Sequence, residues 1–151
     1  MDILGNIVLQ EDNIGIVRSI HNLDKHVLKM INKKLGELDI SHVQGLIIIF
    51  LFNNMEKEIF QKDLEKEFGL SNPTVTASIK SMGTKSLVVK TKSNDDGRYY
   101  TLTLTEKANE LAPKCSEIYE NLEMLIRQKL NPQEILIFSE VISKIETIVN
   151  Q

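Results

Sequence analysis

A single cysteine, Cys115, stands in the whole sequence, so no disulfide framework can hold this chain together, and its thiol suits a reducing compartment. Tryptophan is absent. No apolar run is long: the longest, Leu46 to Phe52, falls far short of the roughly 20 residues that a membrane span needs. The start, Met1-Asp2-Ile3-Leu4-Gly5, is acidic and lacks a long apolar core, so no secretion signal is read there and a cytoplasmic protein is expected. Histidine is scarce too. His21 and His26 lie five apart, about 140° round a helix, and cannot chelate one ion together, and no histidine follows His42. Neither a metal nor a cofactor is expected. Nothing sets a nucleophile beside a base, no glycine-rich phosphate loop occurs, and the carboxylates are scattered, so an enzyme is not expected.

A more local absence matters most. From Ser71 to Asn94 there is no acidic residue, while Lys80, Lys85, Lys90 and Lys92 fall within it. The stretch opens as a helix. Ser71 can cap it through its hydroxyl, Pro73 suits its first turn, and Val75, Ile79 and Met82 recur at helical spacing to form an inward face. The outward face carries Asn72, Thr74, Ala77, Ser78, Lys80 and Ser81, small or hydrogen-bonding side chains that let a helix approach a polyanion. Two β-prone runs follow, Leu87 to Lys92 and Tyr99 to Leu104, with Tyr100, Leu102 and Leu104 alternating on one face and Asp96-Gly97 supplying the turn. A helix preceded by another helix and followed by a hairpin is a winged helix-turn-helix, an arrangement that binds nucleic acid.

Asp96-x-Arg98 in the wing, followed by Leu102-Thr103-Leu104-Thr105-Glu106-Lys107, resembles the signature of the multiple antibiotic resistance regulator (MarR) family. Upstream, Gln61 to Ser71 resembles that family's approach to its helix-turn-helix, with Thr74-Val75-Thr76 in the expected place. The sequence departs from the pattern at three points. Ser86 stands where the family usually has Gly before the first wing strand, Ala108 where Gly often follows the Leu-Thr motif, and Ala77 where many members carry a base-reading Arg. The resemblance implies a transcriptional regulator, commonly a repressor, that binds a pseudo-palindromic operator as a homodimer. It also implies control by a small aromatic or phenolic ligand. Met30, Phe50 and Tyr119 are candidates to line such a site, which the sequence leaves unknown.

The rest of the chain is helical by pattern. Residues 1–12 hold Ile3, Leu4, Ile7 and Val8, aliphatics that a free tail does not need, so they are expected to lie on a partner surface. From about Asn13 to Leu35, Ile16, Ile20, Leu23, Val27 and Met30 mark an amphipathic helix that Gly36 should end. Ser41-His42-Val43-Gln44 is a capping box opening a helix that is apolar nearly all round and so central, which Asn53-Asn54 stops. Ile59 is read as a short edge strand, Lys62 to Phe68 as the first helix of the helix-turn-helix, and Gly69 as its C-terminal cap. After the wing, Thr105 caps a helix to about Leu130, and Asn131-Pro132-Gln133-Glu134 starts the last one. Cys115 lies on the apolar stripe of the former and reads as packing rather than as a redox sensor. The last helix shows Ile135, Phe138, Val141, Ile142, Ile145, Ile148 and Val149, more than one small domain covers at its edge.

These readings give one mainly α domain over residues 1–151, with six helices and a small β-wing. Residues of about 1–38 and 106–151 should pair two copies, and those of about 41–105 should read DNA. The candidate DNA contacts are Ser71, Asn72, Pro73, Thr74, Thr76, Ser78, Lys80, Lys90, Lys92 and Arg98, with Asp96 orienting Arg98. The candidate dimer contacts are Ile7, Ile16, Phe138, Val141, Ile142, Ile145 and Ile148. The net charge of −3 divides unevenly: Lys57 to Arg98 holds eight basic and six acidic residues, +2, which leaves −5 elsewhere. Screening over about 8 Å at physiological salt makes that local excess count for more than the sum. Ala77 and the acidic total support one rival, a winged helix that binds protein and has lost DNA.

Overall fold

The computed structural model describes residues 15–151, so the expectation for residues 1–12, Ile7 included, lies outside the described residues. Six helices and one hairpin are found among them: α1 (Ile16–Gly36), α2 (His42–Asn53), α3 (Gln61–Phe68), α4 (Asn72–Thr84), β1 (Val88–Lys92), β2 (Tyr100–Leu104), α5 (Glu106–Gln128) and α6 (Pro132–Val149). The described residues divide into two compact units, the first ending at residue 115 and the second covering 116–151, with the division inside α5.

In the first unit α2 is the core element. Ser41 Oγ accepts from the Gln44 N–H at 3.3 Å, and Gln44 Oε1 accepts from the Ser41 N–H at 3.2 Å, the expected capping box. Ile47, Ile48 and Leu51 are buried on it, together with Gln44 and Gly45, which suits a helix apolar nearly all round. Among the described residues helix α1 joins this core at its C-terminal end, through Ile31 and Leu35. Its predicted stripe does not: Ile16, Ile20, Leu23 and Met30 are exposed and Val27 is half-buried. Gly36 does not end α1. The helix runs through it, and the left-handed residue is Asp39, at φ 58°, with the Ile40 N–H returning to the Leu35 carbonyl at 3.1 Å. Asp tolerates that conformation better than most side chains, so no glycine is required.

Gly69 does cap α3, at φ 60°. Strands β1 and β2 pair antiparallel, with Val88 opposite Leu104 and Lys92 opposite Tyr100. Leu102 and Leu104 face the core as the alternation predicts, but Tyr100 is exposed. Ile59 is buried but forms no strand of its own. Its carbonyl accepts a single bond from the Leu102 N–H at 2.8 Å, and the sheet has two strands. One residue cannot continue a ladder, so the pairing stops there.

Thr105 Oγ1 accepts from the Ala108 N–H at 3.2 Å and so starts α5. In the second unit α6 has its predicted cap: Asn131 Oδ1 accepts from the Glu134 N–H at 2.8 Å, and Glu134 Oε1 accepts from the Asn131 N–H at 3.0 Å. No residue of α6 is buried.

Candidate nucleic-acid interface

Helix α4 is held from behind by Val75, Ile79 and Met82, all buried, so its outward face is fixed by packing. That face presents Ser71, Asn72, Pro73, Thr74, Thr76, Ala77 and Lys80 exposed and Ser78 half-buried. Ser71 Oγ accepts from the Thr74 N–H at 3.3 Å and lies 2.8 Å from the Thr74 hydroxyl, so the cap and its neighbour form one polar cluster. Two of the candidates are already engaged by α3. Gln61 Nε2 donates to Thr76 Oγ1 at 2.7 Å, and Asn72 Nδ2 donates to Glu65 Oε2 at 3.1 Å. The acid-free run along the chain is therefore not acid-free in space, because α3 brings Glu65 against the start of α4. Gln61 and Glu65 hold the orientation of side chains that sequence reading treats as independent.

Behind the other end of α4 sits a residue that only the fold reveals. Gln44 is buried, and its amide Nε2 donates to Ser81 Oγ at 3.0 Å while its Oε1 accepts from Lys85 Nζ at 3.1 Å. Lys85 Nζ also donates to the Asp39 carbonyl at 2.7 Å, and Lys107 Nζ donates to the Lys85 carbonyl at 2.9 Å. Lys85 and Lys107 direct their charges at backbone carbonyls and side-chain oxygens of their own chain. Helix α4 is thereby clamped between the α1–α2 corner and the start of α5. The capping box foretold Gln44's local bond, but no local signal points to a partner 37 residues away.

In the wing, Lys90 and Lys92 are exposed on β1. Asp96 and Arg98 form a two-pronged pair: Arg98 Nη2 donates to Asp96 Oδ2 at 2.8 Å, and Nε donates to Oδ1 at 3.1 Å. The Arg98 N–H also donates to Oδ1, at 3.1 Å. The Arg98 side-chain hydrogen bond, followed by its backbone N–H, lowers the Asp96 pKa below the ordinary carboxylate value, and the same pair raises that of Arg98. The guanidinium carbon lies 5.9 Å from the centre of the Tyr99 ring, within reach of a cation–π attraction. Even so, the Arg98 side chain is 82% exposed. Such a pair contributes little stability, but it holds a planar cation in one orientation at the end of the hairpin.

Among the described residues no group of three or more His, Cys, Asp or Glu side chains could hold a metal ion. Burial lowers the His42 pKa, with Asp24 acting in the opposite sense. Cys115 is fully buried, and burial pushes its thiol pKa up, away from the reactive thiolate. Phe50 packs edge-on against Phe68 at 5.8 Å. Met30 is exposed in the first unit, and Tyr119 is half-buried in the second. No helix among the described residues is long and apolar enough to cross a membrane. Of the candidate dimer contacts, Ile16, Phe138, Val141, Ile142 and Ile148 are exposed and Ile145 is half-buried.

A family model described as transcriptional regulator SarA/Rot matches residues 29–115. The HTH-type transcriptional regulator SarZ of Staphylococcus aureus strain USA300 is 30% identical over 94 residues, which make up 62% of this chain and 62% of that relative. The match thus spans less than two thirds of the length of the curated relative. Among solved structures, the transcription regulator MarR from Oenococcus oeni PSU-1 superposes with a TM-score of 0.74 at 25% identity, over 87% of this chain and 98% of that one. An S. aureus MepR–DNA complex superposes with a TM-score of 0.85 at 18% identity, over 91% of this chain and 100% of that one. The winged-helix fold and the likeness to MarR read from the wing motif are borne out.

Proposed function

This chain belongs to the SarA/Rot family of transcriptional regulators, and from that premise we propose that it binds double-stranded DNA as a cytoplasmic homodimer and represses transcription, without enzymatic activity. The observation that carries the reading is the pairing of α4 with the wing: an exposed helix face of small polar side chains, followed by an exposed Arg98 clamped by Asp96. Ser71, Asn72, Pro73, Thr74, Thr76, Ser78 and Lys80 are proposed to meet the major groove, and Lys90 and Lys92 the phosphates. Arg98 is proposed to enter the minor groove, where narrow A·T-rich stretches concentrate negative potential. Residues of about 41–105 form the reading region in this proposal.

Residues of about 1–38 and 106–151 are proposed to pair two copies, with Ile7, Ile16, Phe138, Val141, Ile142, Ile145 and Ile148 in the contact. Two-fold symmetry then sets two copies of α4 into successive major grooves, about 34–36 Å apart, on a pseudo-palindromic operator. Control by a small aromatic or phenolic effector belongs to the same proposal. An open cleft of about 490 Å³ lined by Phe60, Lys62, Tyr99 and Tyr100 offers aromatic walls for one beside the wing.

The test is selection of duplexes by the purified protein from a pool of genomic fragments, followed by sequencing. An enriched pseudo-palindrome is expected. Absence of any binding at low salt would instead favour a winged helix that docks on protein.

A further inference from the structure

The wing rests on a carboxylate that electrostatics alone would remove. Glu58, in the loop between α2 and α3, has both oxygens engaged by the wing turn: Oε2 accepts from Ser93 Oγ at 2.8 Å, and Oε1 accepts from the Asn94 N–H at 2.8 Å. Ser93 is buried. Its hydroxyl oxygen in turn accepts from the N–H groups of Asp95 at 3.2 Å and Asp96 at 3.3 Å. A serine hydroxyl has one proton to give and two lone pairs, and all are used here. The Ser93 N–H reaches the Tyr99 carbonyl at 2.9 Å, and the Tyr99 N–H reaches that of Asp96 at 3.1 Å, which closes the turn on itself. Asp96, the residue that clamps Arg98, is thus held by the hydroxyl that Glu58 holds.

We propose that Glu58 and Ser93 are a positioning pair that sets the wing turn and so aims Arg98 at DNA; the proposal deepens the DNA-binding reading and rests on it. Two effects oppose each other at Glu58. A carboxylate near phosphates repels them, so removing one from each subunit tightens binding if charge is all that matters. If Glu58 holds the turn, removing it lets the Asp96–Arg98 pair wander, and binding weakens. The sign of the change separates the two.

The probe is the duplex most enriched by the wild-type protein, titrated at several salt concentrations. Glu58→Ala is expected to weaken binding on the order of tenfold, as contacting residues commonly couple, and to flatten the salt dependence. Ser93→Ala should shift in the same direction. In an Arg98→Ala background Glu58→Ala should no longer weaken binding, because there is nothing left to aim. Tighter or unchanged binding by Glu58→Ala, or an equal loss in both backgrounds, would overturn the proposal. A measurement without DNA stands beside it: amide hydrogen exchange at Asp95 and Asp96 should quicken in Glu58→Ala while that of α4 stays unchanged. Unaltered exchange there also overturns the pairing. Failure of the wild-type protein to enrich any duplex, with exchange quickened as expected, instead sinks the DNA-binding reading and with it the aiming role.

Discussion

The first unit buries Leu35, Ile47, Ile48, Leu64, Val75, Met82, Leu87 and Cys115 completely, whereas from Ser116 to Gln151 no side chain is buried. The difference is not one of supply, since α6 alone exposes Leu136, Ile137, Phe138, Val141, Ile142, Ile148 and Val149. In the first unit helix, helix and hairpin close on one another, and the apolar faces meet within about one hundred residues. The second unit has the same kind of periodic stripe but goes no further than half-burying part of it, at Ile118, Leu122, Ile135 and Ile145. Apolar periodicity therefore marks a continuous face of a helix, but not whether the described chain buries it. The family match points the same way: it ends at residue 115, where the first unit ends.

The largest effect should come from putting a charge into that exposed stripe. Ile142→Asp should leave a monomeric or poorly folded protein, because a carboxylate buried without a partner at the proposed subunit contact is strongly destabilising. Sedimentation reads it. Wild-type protein that is monomeric at micromolar concentration would end the interface reading and turn the contrast between the units into a bare surface feature.

A core truncation in the first unit sharpens the contrast. Leu64 is fully buried, and Leu64→Ala should cost about 2–5 kcal/mol, the transfer term plus the cavity left behind. Urea titrations at low and high protein concentration should give the same loss, since the defect lies within one chain. A loss that grows on dilution would mean that the first unit, too, depends on the partner.

Arg98→Ala should leave stability and sedimentation as in wild type, because a wing-tip side chain supports no core. Operator affinity should fall strongly, and the log–log salt slope by about one unit per lost contact, so by about two per dimer. Asp96→Asn should do less, as it removes only the orienting group. Wild-type affinity and slope for Arg98→Ala would reduce the wing to a structural hairpin.

Much of this was legible along the chain, for a physical reason. Capping boxes, the inward face of α4 and the Asp96–Arg98 pair are relations between residues two to seven apart, and local spacing carries them. The bonds from Glu58 to Ser93 and from Gln44 to Ser81 join residues 35 and 37 apart, where only the fold brings partners together. Glu65 shows the converse: an acid outside the acid-free run arrives beside it once α3 packs on α4. The stripe of α1 was legible as apolar but not as exposed among the described residues. Gly36 misled because glycine marks many helix ends, yet Asp39 has a side chain tolerant enough to take the left-handed turn.

The smallest effect is expected from the backbone of the first unit, at two residues with the same dihedral. Gly69 and Ser86 both stand at φ 60°. Glycine adopts that conformation freely, whereas an ordinary L-residue bears about 1–2 kcal/mol there from its Cβ against the following carbonyl. Ser86 thus occupies, at a cost, the position where the MarR pattern has glycine. The main chain holds it: its N–H reaches the Gly83 carbonyl at 3.1 Å, and its own carbonyl accepts from Thr105 Oγ1 at 2.7 Å. A substitution in either direction also changes the unfolded chain, where glycine has more freedom to lose, by about 0.4–1 kcal/mol. For Ser86→Gly the relief exceeds that penalty, which leaves a gain of about 0.5 kcal/mol. For Gly69→Ala the signs reverse. A Cβ there meets no atom within 4 Å, so the loss, of similar size, is conformational alone. Both shifts should be independent of protein concentration, as befits a unit that closes on itself. Urea unfolding of the two variants against wild type reads the pair. If both move in the same direction, the positive φ at residue 86 is not what costs stability, and the neighbouring hydrogen bonds decide it instead.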